Sequence, residues 1–168
     1  GFPGRTTQFL SSFQVDQIQN VIDPIRIESR TIKLNAWDRH MRVDKDIFLK
    51  YASKQASVAN GWKKWQGEVL GLSQNNVIQK KEAIENRFMN AVAHSENPND
   101  RSILTQMEAN IKGSNPYMEA SEYIRETVLG IEAVQQAAIL KNILGLFRSN
   151  ATASEVSDSL QKIQKRMN

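Results

Sequence analysis

The residues that could carry chemistry are few and scattered. His40 and His94 stand 54 positions apart. Neither belongs to a His-x-x-x-His or Glu-x-x-His arrangement, the helical spacings that bring two metal ligands onto one face. Surface or helix-end positions are expected for both. Glu119, Glu122 and Glu126 are spaced three and four apart and share one helix face; Glu82 and Glu85 form a second such pair. Paired carboxylates could serve as acid and base or hold a cation. Both sets accompany lysines or arginines and lie opposite apolar stripes, so solvated faces are expected instead. No glycine-rich phosphate loop and no Gly-x-Ser-x-Gly occurs, and no histidine lies near a serine in sequence in a way that suggests a nucleophile and its base. The expectation is a protein without catalytic, cofactor-binding or metal-binding residues.

A mixture of cations and rings is the other chemically suggestive feature. Trp37, Arg39, His40, Arg42, Lys45, Lys50, Tyr51, Lys54, Trp62, Lys63, Lys64 and Trp65 fall within 29 residues. Single-stranded nucleic acids are bound by such mixtures, cations tracking phosphates while rings stack on bases. Charge is also unevenly placed. Pro24–Lys64 holds ten Lys/Arg against four Asp/Glu, whereas Asn115–Leu160 holds three against six. A basic front and an acidic back could pack on each other, pair between subunits or present a basic face to an anionic partner. The tentative partner-binding residues are therefore Arg39, Arg42, Lys45, Lys63 and Lys64 on the basic side, with Glu119, Glu122 and Glu126 on the acidic side.

These side chains need a scaffold, and its strongest signal is a stripe. Tyr51, Val58, Trp65 and Leu72 repeat every seven residues, interleaved with Phe48, Gln55, Trp62 and Val69. Spacings of three and four place all eight on one side of a helix. That helix opens at Asp44, a good N-cap, and runs to about Leu72. Tyr51, Trp62 and Trp65 fall on the apolar stripe and are expected to point inward, which leaves Trp37 uncommitted. Gly67 and Gly71, four apart, would let another helix approach closely.

The remaining elements also read as helices. Gly1–Arg5 is a flexible lead-in, followed by a helix from Thr6 or Thr7 to Ile22 that Asp23-Pro24 ends. Ile25–Trp37 fits both a strand and a helix period, and Pro24 in a first-turn position favours helix. Further helices are expected over Val77–His94 and Asp100–Lys112, the latter stopping at Gly113. Asn115-Pro116 reads as a start signal for a helix of some thirty residues reaching Arg148. Thr152 with Glu155 makes a capping box for a last helix through Val156, Leu160 and Ile163.

The 168 residues suit one all-α domain, an elongated helical bundle with two long helices and several shorter ones. The absence of cysteine removes disulfides, thiol catalysis and thiolate metal sites. No run reaches the roughly 18 apolar residues of a membrane span. The sequence opens on Gly1, so it sets no expectation about an upstream leader or anchor. The layout is loosely similar to helical pilus-tip and periplasmic accessory proteins of bacterial type IV secretion, and to helical coat proteins of filamentous viruses, with no residue that transfers from either. The functional expectation is a non-enzymatic assembly or accessory subunit that acts by protein contact or self-association, with a lean toward the periplasm or cell surface. The alternative is a nucleic-acid-binding coat or packaging subunit that uses the basic 24–64 region.

Overall fold

The computed structural model describes residues 10–148 and 152–167, with some side chains of the last two helices outside that description. Among the described residues every regular element is helical. The chain clusters into two compact units, Gly1–Tyr123 and Ile124–Asn168.

In the first unit, α1 spans Ser12–Gln17, α2 Asp23–Met41, α3 Lys45–Gln74, α4 Val77–Val92 and α5 Pro98–Tyr123. Helix α1 starts later than its sequence suggested. Ser11 is extended and makes a capping box with Gln14: its hydroxyl accepts from the Gln14 amide while its own amide donates to Gln14 Oε1. The expected starts at Thr6 or Thr7, and the lead-in 1–5, lie outside the described residues.

Asp23-Pro24 does not end the helix. Ile18–Ile22 form a π-helical segment in which the Asp23 amide reaches back five residues to the Ile18 carbonyl, and α2 follows directly. A wider turn accommodates the ring that would otherwise strike the carbonyl four residues back, and the proline's missing donor falls in the first turn of α2. Ile25–Trp37, ambiguous by period, is helical throughout.

Helices α2 and α3 form an antiparallel hairpin, as Trp37 beside Tyr51 and Thr31 beside Trp62 require. Asp44 caps α3 as expected, accepting from the Asp46 and Ile47 amides. At 30 residues α3 is one long helix, and α5 at 26 is the other. At Gly61 a Cβ would meet Arg30 Nη1, so the guanidinium end of that flexible side chain occupies the space glycine leaves. Gly67 and Gly71 face open space instead, so the expected close approach is absent there. Asn76 takes a left-handed conformation (φ 48°) in the turn to α4, one that asparagine tolerates better than most residues.

Gly113 does not stop α5, and Asn115-Pro116 does not start a new helix; both lie inside it. Tertiary anchors sustain the helix through this weak stretch. The Gln17 amide group of α1 donates to the Ile111 carbonyl (3.2 Å), Ser114 Oγ (3.0 Å) and Asn115 Oδ1 (2.7 Å). Glu85 of α4 ties down the other end of α1, accepting from the Ser12 amide at 2.6 Å and the Ser12 hydroxyl at 2.5 Å. An anionic acceptor there satisfies exposed amides and complements the helix dipole. Few apolar side chains are fully buried: Val15, Ile22, Ile25 and Met41.

In the second unit the expected thirty-residue helix to Arg148 is broken. Ile124–Val128 is π-helical, a turn at Leu129–Gly130 follows, and α6 spans Glu132–Arg148. Glycine favours such a break because it loses most on entering a helix. Helix α7 (Ala153–Met167) packs on α6 and opens with the expected capping box. Glu155 accepts from the Thr152 amide and hydroxyl, which holds its carboxyl below the usual range. The expected break at Ser149-Asn150 lies outside the described residues.

Glu85→Ala removes both acceptors from the N-terminus of α1. We expect a loss of about 1–2 kcal/mol, read as faster hydrogen exchange at the amides of residues 12–15 while those of α3 stay protected.

Candidate functional site

The most deeply buried polar groups of the first unit meet where α2, α3 and α5 cross. Asp23 and Glu122 are each 1 % exposed. Arg26 Nε and Nη2 donate to Glu122 Oε2 and Oε1, both at 2.9 Å, a bidentate pair linking α2 to α5. Arg26 Nη1 also donates to Asp23 Oδ1 at 3.3 Å. On the α3 side, Arg26 and Arg30 lie 5.0 and 4.2 Å from the Trp65 ring centroid, so a single indole carries two guanidinium groups. Trp62 donates its indole proton to Thr31 Oγ1 at 2.8 Å.

The electrostatics follow from burial. Asp23 is raised from the usual 3.8 to about 6, chiefly by loss of water and next by the charge of Glu68, with Arg26 opposing. Its Oδ2 is buried and finds no hydrogen-bond partner among the described residues. Burial pulls the Arg26 pKa down, but the hydrogen bonds and charge of Glu122, with Asp23 adding, leave it above its ordinary value. Arg26 therefore stays cationic, and the cluster is a clamp between helices rather than a proton-transfer pair.

Several concavities lie elsewhere in the first unit, none lined by the clamp residues. A cleft of about 530 Å³ lies between α1, α4 and α5, with carboxylates of Asp16, Glu82, Glu85 and Glu108 on its walls. A smaller pocket of about 220 Å³ sits at the closed end of the α2–α3 hairpin, lined by Trp37, His40, Met41, Ile47 and Tyr51. Among the described residues no group of three or more histidine or acidic side chains could hold a metal ion.

The residues singled out from sequence are dispersed. Arg39 lies in the last turn of α2, Arg42 follows it and pairs with Asp38 at 2.7 Å, and Lys45 opens α3. Lys63 and Lys64 lie near the middle of α3, with Lys64 3.6 Å from Glu68. All five cations are exposed. The acidic set is not the solvated face that its spacing suggested. Glu119 is exposed, but Glu122 and Glu126 are buried, and Glu122 is consumed by Arg26. Glu85 is likewise engaged at the N-terminus of α1. Both histidines are exposed, as expected. The inward stripe is only half realised: α3 has no fully buried residue, and Phe48 is 48 % exposed. The indole of Trp65 is covered by arginines rather than by aliphatic core. Arg26 and Arg30, four apart and facing the stripe, were the signal for this, and Glu122 falls one helical turn after Met118 with nothing in its own neighbourhood to mark it.

A dispersed exposed cation set, several concavities and an internal ion clamp describe a helical scaffold and assign it no chemistry. Its family comes from comparison. The model of the Peptidase S46 family matches residues 1–168, so the chain belongs to that family. It is 38 % identical over 130 residues to an Asp/Glu-specific dipeptidyl-peptidase of Flavobacterium psychrophilum, covering 77 % of this chain and 18 % of that protein. A Capnocytophaga gingivalis protein of the same description is 47 % identical over 92 residues, 55 % of this chain and 13 % of its own length. Dipeptidyl-peptidase 7 of Porphyromonas gingivalis is 35 % identical over 146 residues, 86 % of this chain and 20 % of its length. The chain thus spans a fifth or less of these relatives.

Membership of a peptidase family overturns the expectation of a non-enzymatic assembly, secretion-accessory or coat subunit. The composition argument failed because it searched these residues for a bond-breaking motif. Among the described residues no serine or threonine donates to His40 or His94, so nothing in the helices themselves announces hydrolysis.

The clamp yields two predictions. Arg26→Met and Glu122→Met should each cost about 1.5–3 kcal/mol by breaking the bidentate charged pair, while the double variant costs less than their sum; urea unfolding of the four proteins measures the coupling. Asp23 carries a raised folded pKa, so its contribution is fully present below 3.8 and is lost as pH rises through about 6. Asp23→Asn should therefore be increasingly stabilising, relative to the native protein, between pH 4 and 7. The gain reaches at most about 3 kcal/mol, read as a melting-temperature difference that widens with pH.

Proposed function

We propose that this chain is the helical part of an Asp/Glu-specific dipeptidyl-peptidase and that it contributes to peptide binding rather than to bond cleavage. The observation that carries the reading is the match of the Peptidase S46 model along residues 1–168, joined to the 38 % and 47 % identity with relatives of that description. Two physical features support it. The surface over Pro24–Lys64 is basic, ten cations against four acids, and a basic field raises the local concentration of acidic peptides. Large apolar side chains also remain exposed, among them Leu49 at 66 % and Tyr117 at 78 %, which suits a segment that works packed within a larger enzyme.

In this reading the Arg26–Glu122 clamp fixes α2, α3 and α5 relative to one another, so the basic surface is presented in one geometry. The exposed cations Lys63 and Lys64 near the middle of α3 attract and orient acidic substrate, and the attack on the peptide bond belongs to groups elsewhere in the enzyme.

The test is a hydrolysis assay of the full-length protein on dipeptidyl amide reporters whose scissile residue is Asp, Glu, Leu or Lys. We expect kcat/KM for the acidic reporters to exceed that for Leu by at least about tenfold, a difference of about 1.4 kcal/mol in transition-state binding. Equal rates, or preference for Leu, would overturn the acidic specificity while leaving the peptidase reading standing. No hydrolysis of any reporter would defeat the reading.

A further inference from the structure

The closed end of the α2–α3 hairpin combines an apolar pocket with a cationic rim. Trp37, His40 and Met41 come from one face of α2 at spacings of three and one, and Ile47 and Tyr51 from one face of α3, four apart. The Trp37 and Tyr51 rings sit 5.6 Å apart at a 56° tilt, forming two walls of a cavity of about 220 Å³. An apolar cavity of about 150 Å³ is enough for a benzene ring, so this one admits a single aliphatic or aromatic side chain. Lys54 lies over the outer wall, its ammonium 5.2 Å from the Tyr51 centroid. Arg39, Arg42, Lys45 and Lys50, within five residues of the pocket's lining in sequence, are exposed, Arg42 being paired with Asp38. Between Asn35 and Gln55 five cations face three acids. Neither the clamp nor the cleft between α1, α4 and α5 uses any of these groups.

We infer that this pocket is a secondary docking site for the substrate peptide beyond its N-terminal dipeptide, taking one apolar side chain flanked by Asp or Glu. The inference rests on the dipeptidyl-peptidase reading above. An enzyme of that kind engages the first two residues where the bond is cut, so only the chain beyond them is free to touch a second surface. The pocket supplies a hydrophobic anchor for that chain, and the rim supplies charge complementarity to the acids beside the anchor. Such a site adds binding for long peptides and nothing for a substrate too short to reach it.

The experiment compares two substrates on the full-length enzyme: an acidic dipeptidyl reporter, and a ten-residue peptide with the same N-terminal dipeptide followed by alternating Leu and Glu. The quantity read is the ratio of their kcat/KM values. Arg39→Glu, an exposed change, should lower that ratio about tenfold through KM, and Tyr51→Ala should lower it comparably by removing a wall. The native enzyme gives a second reading that needs no variant. Raising salt from 0.05 to 0.5 M should depress kcat/KM for the long peptide more than for the reporter. A ratio unchanged by both variants and by salt, in an enzyme that cleaves the reporter normally, overturns the docking site and leaves the peptidase reading intact. Loss of stability in Tyr51→Ala with an unchanged ratio in Arg39→Glu assigns the pocket to internal packing and likewise overturns it. Absence of reporter cleavage in the native enzyme is the separate failure of the peptidase reading.

Discussion

The first unit depends on one half-buried guanidinium. Arg26 bonds Glu122 through two nitrogens, reaches Asp23 with a third, and rests against Trp65, so one side chain ties α2 to both α3 and α5. Among the described residues only Val15, Ile22, Ile25 and Met41 are buried apolar residues there, so the apolar core alone offers little to fix three helices. A buried ion pair contributes less net stability than its Coulomb energy suggests, because desolvation cancels most of it. What it contributes strongly is a penalty for any other arrangement. Shifting α5 by one turn would break both hydrogen bonds between Arg26 and the buried Glu122 carboxylate. The geometry of the helices is thereby specified by a cost rather than by an attraction.

The π-helical segment at Ile18–Ile22 makes that arrangement reachable. Each π turn holds one residue more than the hydrogen-bonding pattern around it, which rotates everything downstream relative to what precedes. Upstream, Gln17 faces α5 and Ser12 meets Glu85 of α4; downstream, Ile25 is buried, Arg26 turns to α5, and Arg30 reaches α3. A uniform α-helix through Pro24 would lose a hydrogen bond and clash with a carbonyl. The irregularity and the proline therefore belong together, and the same stretch of chain serves two packing partners in succession.

What could be read from the residues alone was what is decided locally. The Asp44 cap, the Thr152–Glu155 capping box and the helical state of the long periodic segments are settled by groups within a turn of one another, and they stand in the structure. Boundaries were misread where distant groups decide. Gly113 and Pro116 are breakers by local rule, yet Gln17, nearly a hundred positions away, takes hold of that turn. Pro24 was read as an end because the widening before it has no composition signal. Glu122 looked like one member of an exposed acidic face, since its spacing to Glu119 and Glu126 is that of any solvated stripe. Its partner Arg26 is visible only in three dimensions. The enzyme family was illegible for a related reason: these helices hold binding surfaces and a clamp, and none of the spacings that mark a nucleophile or a metal.

The distribution of burial and charge inverts the usual pattern of a helical bundle. A self-sufficient all-α domain hides its large apolar residues and exposes its charges. Here Glu122 and Asp23 are the most deeply buried large side chains, while Leu49, Leu70, Ile84 and Tyr117 remain more than half exposed. Polar clamps hold the helices in register without consuming their apolar faces, which stay available for contacts of another kind. The basic α2–α3 surface stays available as well, since most of its cations point to solvent while the arginines that matter for packing, Arg26 and Arg30, are withdrawn to Trp65. Sorting the cations of one hairpin into two populations, Arg26 and Arg30 inward on Trp65 and the rest outward, lets a single sequence segment fix its own geometry and still carry a positive surface.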